Sequence, residues 1–402
     1  MPGDTTPWTV IGLLSGTSCD AVDAAVGEFR FAPADGGGGE EEIVLRPRGL
    51  HTEPYPAGLR EELMGVLPPA RVTLEDVCRL DTALGRFFGT VAAGAVAGLP
   101  DGRADLVASH GQTVHHWVEG PRARGTLQLG GAAWIAEATG LPVVSDFRTR
   151  DIARGGQGAP LAAVLDELLL LDGSTGRGAL NLGGIANLTT RDAHGAVIAY
   201  DLGPANALID AVAAEASGGA ERMDTDGARA ARGRVDGVLL AELLAEPYYR
   251  LPPPKSTGKE LFHAGYLRDR TAGRPVAADD LAATVTELTA ELVAAACRGH
   301  GLTELVVSGG GVRNPVLMDR VRAAAAGTRV VGSEEHGLPA QAKEGYLFAL
   351  LGFLTVHGLA GSVPSATGAT VPSVLGSVTP GAGPLRLPGP RARRPVRLRI
   401  EN

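Results

Sequence analysis

The chain is poor in cysteine and aromatic residues and has no long apolar run. Its three cysteines, Cys19, Cys78 and Cys297, are odd in number and far apart. They make no C-x-x-C pair and no disulfide framework, so a reducing cytoplasm is the expected setting. No stretch reaches the roughly 18 uninterrupted apolar residues of a membrane span. The segment Met1-Pro-Gly-Asp-Thr-Thr-Pro-Trp8 lacks a basic n-region and an apolar h-region, and does not read as a secretory signal. Positive charge is also in deficit. A formal net charge of −8 argues against general binding to nucleic acid or to an acidic membrane. There is no G-x-x-x-x-G-K-[ST] P-loop, and the G-x-G-x-x-G spacing fails.

What is present is glycine, 57 residues of it, in a chain that is 44% apolar. At 402 residues this is a globular protein with room for two or three cored domains and many tight turns. Short apolar runs alternate with helical periodicity, which predicts α/β architecture. Strands are expected at 10–14, 21–29, 106–109, 125–130, 141–145, 179–182, 188–190, 196–200 and 304–307. Helices are expected at 74–97, 132–139, 161–171, 278–298 and 342–359. Residues 33–42 read as a solvated loop. The Pro- and Arg-rich tail 385–400 lacks periodicity and reads as a solvated end.

The stretch Asn181-Leu-Gly-Gly-Ile-Ala-Asn187 reads as strand, glycine turn, strand. Ile11-Gly-Leu-Leu-Ser-Gly-Thr-Ser-Cys-Asp-Ala-Val-Asp23 repeats that pattern and adds two acids. Turns of this kind let backbone N–H groups converge on an anion. Each alone is an ordinary hairpin; the pair, one in each half, suggests two related domains with a phosphate chain held between them. Gly16-Thr17-Ser18 with Asp20 suits nucleotide phosphates and a Mg²⁺ shell. Ser308-Gly309-Gly310-Gly311 follows a strand and precedes a helix, where ligands collect in α/β sheets. The alternative there is a plain strand–helix turn. Asp146, at a strand end before Phe147 and Arg148, is a candidate general base; the alternative is an Asp–Arg pair that ties down its loop. His110, His115 and His116 match no zinc spacing and serve better, with Gln112, as hydrogen-bonding groups for a sugar-like ligand. Glu344 is either part of a solvated first helical turn or an acceptor for ligand hydroxyls.

Together these segments closely resemble the anhydro-N-acetylmuramic acid kinases of the sugar kinase–actin–Hsp70 superfamily. The resemblance rests on residues 14–23, 109–115, 126–130, 145–148 with 155–160, 181–189, 201–206, 255–260, 308–314, 342–349, and 367–369 with 374–376. It runs over nearly the whole chain in one order. It implies a two-domain actin-like ATPase fold with a nucleotide cleft between related halves. The expected domains are 1–145 with about 360–402, and 146–359. It also implies an enzyme that uses ATP and Mg²⁺ to open the internal bridge of 1,6-anhydro-N-acetylmuramic acid with water and phosphorylate O6. The product is N-acetylmuramic acid 6-phosphate, an intermediate of cell-wall recycling.

Carried over by position, Asp146 is the catalytic base. Gly16, Thr17, Ser18, Cys19, Asp20, Ala21, Val22 and Asp23 bind ATP. So do Asn181, Gly183, Gly184, Asn187, Ser308, Gly309, Gly310 and Gly311. His110, Gln128, Arg148, Gln157 and Glu344 face the sugar, and Asp20 and Asp201 are Mg²⁺-shell acids. The family resemblance also implies a homodimer. The sequence departs from the family pattern at Leu14, Cys19, Ala21, Leu202, Ala205 and Gly131-Ala132. Two other readings stand beside this one: a kinase of a related anhydrohexose such as levoglucosan, and a non-catalytic ATP-dependent sugar sensor.

Overall fold

The computed structural model describes residues 5–16, 19–34, 41–120, 122–171, 173–258 and 261–401. Its strands, in chain order, begin with β1 (Trp8–Ser15), β2 (Ala21–Pro33), β3 (Glu41–Pro54), β4 (Leu106–Ser109) and β5 (Gln112–Glu119). They continue with β6 (Arg122–Leu129), β7 (Val143–Ser145), β8 (Arg177–Leu182), β9 (Ile185–Arg191) and β10 (Val197–Pro204). The last are β11 (Glu304–Ser308), β12 (Arg329–Gly332), β13 (Ser377–Thr379) and β14 (Leu398–Ile400). The chain divides into two compact units, Met1–Leu169 with Ala342–Asn402, and Leu170–Gln341.

The first unit holds a seven-stranded sheet in the order β13-β7-β4-β1-β2-β3-β14, with β5 and β6 pairing as a separate hairpin. The second holds a five-stranded sheet in the order β10-β9-β8-β11-β12. Without its two added edge strands, the first sheet has the same plan as the second. In both, the first strand pairs antiparallel with the second and the second with the third. The first strand then pairs parallel with the fourth, and the fourth with the fifth. The two related α/β halves expected from the hairpin pair are therefore present as two sheets of one topology.

In the first unit, side chains alternate across β1. Ile11 and Leu13 face a core shared with Leu80, Leu84, Phe88 and Val91 of the helix Leu74–Ala97. That helix starts at a reciprocal capping box between Thr73 and Asp76. On the other face, the helix Lys343–Val356 packs against β1, β2 and β4. Gly12 permits this close approach: a β-carbon there would overlap the carbonyl of Gly345 and come within 2.6 Å of the Ala349 nitrogen. In the second unit, the helix Ala278–His300 buries Ala282, Val285, Leu288 and Val293 against Leu180, Leu188, Leu305 and Val307. It ends at Gly301, whose φ of 61° suits glycine.

Three expectations are corrected. The unit boundaries fall at 169/170 and 341/342, so 146–169 and 342–359 belong with the first unit. Contacts far apart in sequence hold them there: Thr367 donates 2.8 Å to Asp151, Gln157 N–H donates 2.8 Å to Thr367 O, and Phe147 packs on Phe348. Residues 41–54, left out of the expected strands, form the long strand β3. The tail is not a solvated end. β14 pairs parallel with β3, Arg399 donates 2.9 Å to the buried Glu42, and Arg394 pairs at 2.6 Å with Glu167. Arg391 pairs with Glu41 and lies 3.6 Å over the Phe31 ring. The arginine run therefore meets acids on its own unit, which residue-by-residue periodicity does not register.

Candidate active site

In the first unit, β4 and β7 run parallel and deliver His110 and Asp146 from their carboxyl ends. Phe147 turns into the core and leaves Asp146 exposed. Asp146 has φ 58°, a left-handed conformation that costs a non-glycine residue about 1 kcal/mol or more. Its Oδ1 accepts from Thr149 Oγ1 at 2.5 Å. A cavity of about 260 Å³ brings together Asp146, His110 and Gln128, with Asp81, Ser109 and Thr126. Asp81 is a polar member that sequence reading missed. It lies inside a helix with no local signal, and its carboxylate accepts the Gly130 N–H at 2.8 Å.

His110 is buried and takes one defined tautomer. Its Nε2 accepts from Arg148 Nε at 3.0 Å, so Nδ1 carries the proton and donates to Gly111 O at 2.8 Å. Burial, helped by the Arg148 charge, pulls its pKa down to about 3. Arg148 also donates 2.6 Å to Gly158 O. Burial lowers its pKa to about 10, against the opposing charges of Glu344 and Asp151. Glu344 is exposed, yet the protein around its carboxyl raises it above the ordinary value. Lys343 and Arg148 oppose that rise and Asp23 adds to it.

The amide of Gln128 donates to Thr113 Oγ1 at 3.1 Å and Thr126 Oγ1 at 2.7 Å, which fixes its orientation on the β5–β6 hairpin. Gln157 points elsewhere: its Oε1 accepts the Ala123 N–H at 2.9 Å, a tie between its loop and β6.

The β1–β2 turn carries Gly16 and Cys19, where the Cys19 N–H donates 3.1 Å to Gly16 O. Thr17 and Ser18 lie outside the described residues, as do Lys259 and Glu260. Asp20 pairs at 3.1 Å with Arg60, whose Nε also donates to Cys19 O. Ala21 and the buried Val22 open β2, and Asp23 accepts from Thr52 at 2.6 Å.

In the second unit, Ser308 pairs in register with Asn181. Gly309 has φ 89°, and a β-carbon there would overlap Asn181 Oδ1 and approach Leu182 O to 2.9 Å. Gly311 is equally tight against Leu182. Gly183 and Gly310 are open by contrast, with no atom within 3.4 Å of a built β-carbon. The carbonyls of Gly183 and Gly184 accept backbone N–H groups from Ala205, Asn206 and Ala207. Asn187 donates 2.9 Å to Asp201 Oδ1, while Oδ2 accepts from Ser256 Oγ at 3.1 Å and Thr257 N–H at 2.9 Å. Asp201 thus holds the 255–257 loop. Among the described residues no group of three His, Cys, Asp or Glu could hold a metal ion, and no helix is long and apolar enough to cross a membrane.

A sequence profile of one family, anhydro-N-acetylmuramic acid kinase, matches residues 8–381. The chain belongs to that family. Members named anhydro-N-acetylmuramic acid kinase include one from Streptomyces avermitilis, 59% identical over 395 residues, covering 98% of this chain and 100% of the relative. One from Streptomyces coelicolor is 55% identical, covering 97% and 98%. One from Rhodococcus erythropolis is 49% identical, covering 98% and 99%. Membership in the family makes the protein a kinase that phosphorylates in sugar metabolism with ATP.

Proposed function

We propose that the protein opens the bridge of 1,6-anhydro-N-acetylmuramic acid with water and transfers the γ-phosphoryl of ATP to O6. The supporting observation is Asp146: an exposed carboxylate, hydrogen-bonded on Oδ1, at the end of β7 beside a polar cavity. Its Oδ2 takes the proton of the attacking water. The water oxygen bonds to the anomeric carbon as the C1–O6 bond breaks. The freed O6 bonds to the γ-phosphorus, and ADP leaves. A positioned base contributes roughly 10²–10⁴ to such a rate. His110, neutral and of one tautomer, and Gln128 line the sugar side, while Arg148 holds His110 and feels the charge of Glu344.

On the nucleotide side, Gly183 and Gly310 expose backbone that a phosphate or adenosine can approach, and Gly309 and Gly311 hold the strand ends together. Mg²⁺ held on nucleotide phosphates needs only one or two carboxylates, partly through water. Asp20 fits that need; Asp201, with both oxygens already accepting, fits it less well. When bound, Mg²⁺ neutralises charge on the phosphates. A homodimer, carried over from the family resemblance, and a cytoplasmic location, from the sparse unpaired cysteines, belong to the same reading.

The test is coupled ATP turnover with the anhydro-amino sugar, comparing wild type and Asp146→Asn. Sugar-dependent ADP release with a 6-phosphate product, reduced at least about 100-fold in the variant, is the expected result. Unchanged turnover in the variant removes Asp146 from the mechanism. Turnover of levoglucosan alone, or ATP binding with no turnover of either sugar, overturns the substrate assignment.

A further inference from the structure

A second cavity, about 350 Å³, opens on the other side of Asp146. Asp146 and Thr149 line both cavities, so the two meet at the proposed base. Their chemistry differs. The charged groups lining the first are the carboxylates of Asp81 and Asp146, among neutral polar groups and backbone. The second is lined by Arg150 and Arg154, with Ser377 of β13 opposite; Ser377 pairs in register with Ser145, the residue before Asp146.

Arg150 and Arg154 are one helical turn apart, linked by the Arg154 N–H to Arg150 O hydrogen bond at 3.2 Å. Like charges at this spacing repel. Both side chains are exposed, and among the described residues neither guanidinium has an ion-pair or hydrogen-bond partner. The one other acid on that short helix, Asp151, is buried, and its oxygens accept from Thr367 and Gly158. Two cations against one carboxylate leave the cavity net positive.

We infer that this cavity is an anion subsite, and that its ligand is the carboxylate of the substrate's lactyl ether, gripped by Arg150 and Arg154 while the sugar ring occupies the first cavity, whose own carboxylates would repel that group. This rests on the proposed function and adds what distinguishes an acid sugar from a neutral one. The subsite is open to solvent, so its grip weakens as salt rises.

The experiment uses the full chain with ATP and two sugars: 1,6-anhydro-N-acetylmuramic acid, and 1,6-anhydro-N-acetylglucosamine, which lacks the lactyl ether. The readout is the ratio of their kcat/KM values in wild type, Arg150→Gln, Arg154→Gln and the double variant. Each single variant lowers the preference for the acid sugar by about tenfold, mainly through KM, and the double by about a hundredfold. Arg→Lys variants at the two positions recover part of it. A preference unchanged in the double variant overturns the inference, as does an equal KM change for both sugars. Competition by millimolar inorganic phosphate that the Gln variants abolish, with sugar preference intact, assigns the cavity to phosphate and also overturns it. Wild type inactive on both sugars refutes the proposed function instead.

Discussion

Lys343 and Asp166 form an ion pair at 2.6 Å with side chains only 5% and 3% exposed. Asp166 begins the segment Asp166–Leu171 that leads out of the first unit, and Lys343 begins the helix that follows the return. Two charges this far from water are costly to bury, and their attraction roughly offsets that cost. Removing one partner takes from the other the ion pair that offsets the cost of its burial. Lys343→Met or Asp166→Asn should therefore destabilise by about 3–5 kcal/mol each. Replacing both, Lys343→Met with Asp166→Leu, removes both buried charges and should cost less than either single change. The assay is urea unfolding of the four proteins, with free energies compared only where m-values agree. Single variants costing under about 1 kcal/mol, or a double variant equal to the sum of the singles, would refute the argument that burial makes the pair matter.

Two further outcomes follow from the same geometry. His110 has its pKa depressed from 6.5 to about 3 in the fold, so between those values the unfolded chain binds the extra proton. Its contribution is complete above pH 6.5 and is lost as pH falls towards 3. From pH 7 to 5 that amounts to about 2 kcal/mol, read as the difference in pH dependence of unfolding between wild type and His110→Gln. Gly309→Ala combines a φ of 89° with overlap onto Asn181, so it should lower stability by about 1–3 kcal/mol and weaken binding of a non-hydrolysable ATP analogue. Unchanged analogue affinity in a folded Gly309→Ala protein would separate the 308–311 turn from nucleotide binding.

The duplicated plan of the chain was legible because it is written in local chemistry. Gly183-Gly184 and the turn after Ser15 both sit between apolar runs, and such signals survive without tertiary information. Asp146 was legible for the same reason, as an acid at the end of an apolar run. What was hidden depends on distance in sequence. Residues 146–169 join the first unit through Asp151 and Thr367, 216 positions apart. The Lys343–Glu344 pair gives no sequence sign of which member is buried in an ion pair and which faces Arg148. Gln157 resembles a ligand contact in its glycine-rich loop, yet its oxygen accepts from Ala123. The arginine pair at 150 and 154 meets Ser377 only because β13 comes alongside β7 from more than 220 positions away.

The first unit is discontinuous, and that sets the order in which the protein can be completed during synthesis. The 170–341 unit is one uninterrupted segment, able to close as it leaves the ribosome. The first sheet has β1, β2, β3, β4 and β7 once residue 145 is made, but the helix that covers its second face begins at 343. At ordinary elongation rates those 198 residues take about 10–40 s. Throughout that interval the face around Gly12 and Ala25 stays bare, and β7 and β3 remain open edges until β13 and β14 arrive. Truncation before residue 400 makes part of that nascent state permanent, so shortened chains should stick to chaperones or to one another.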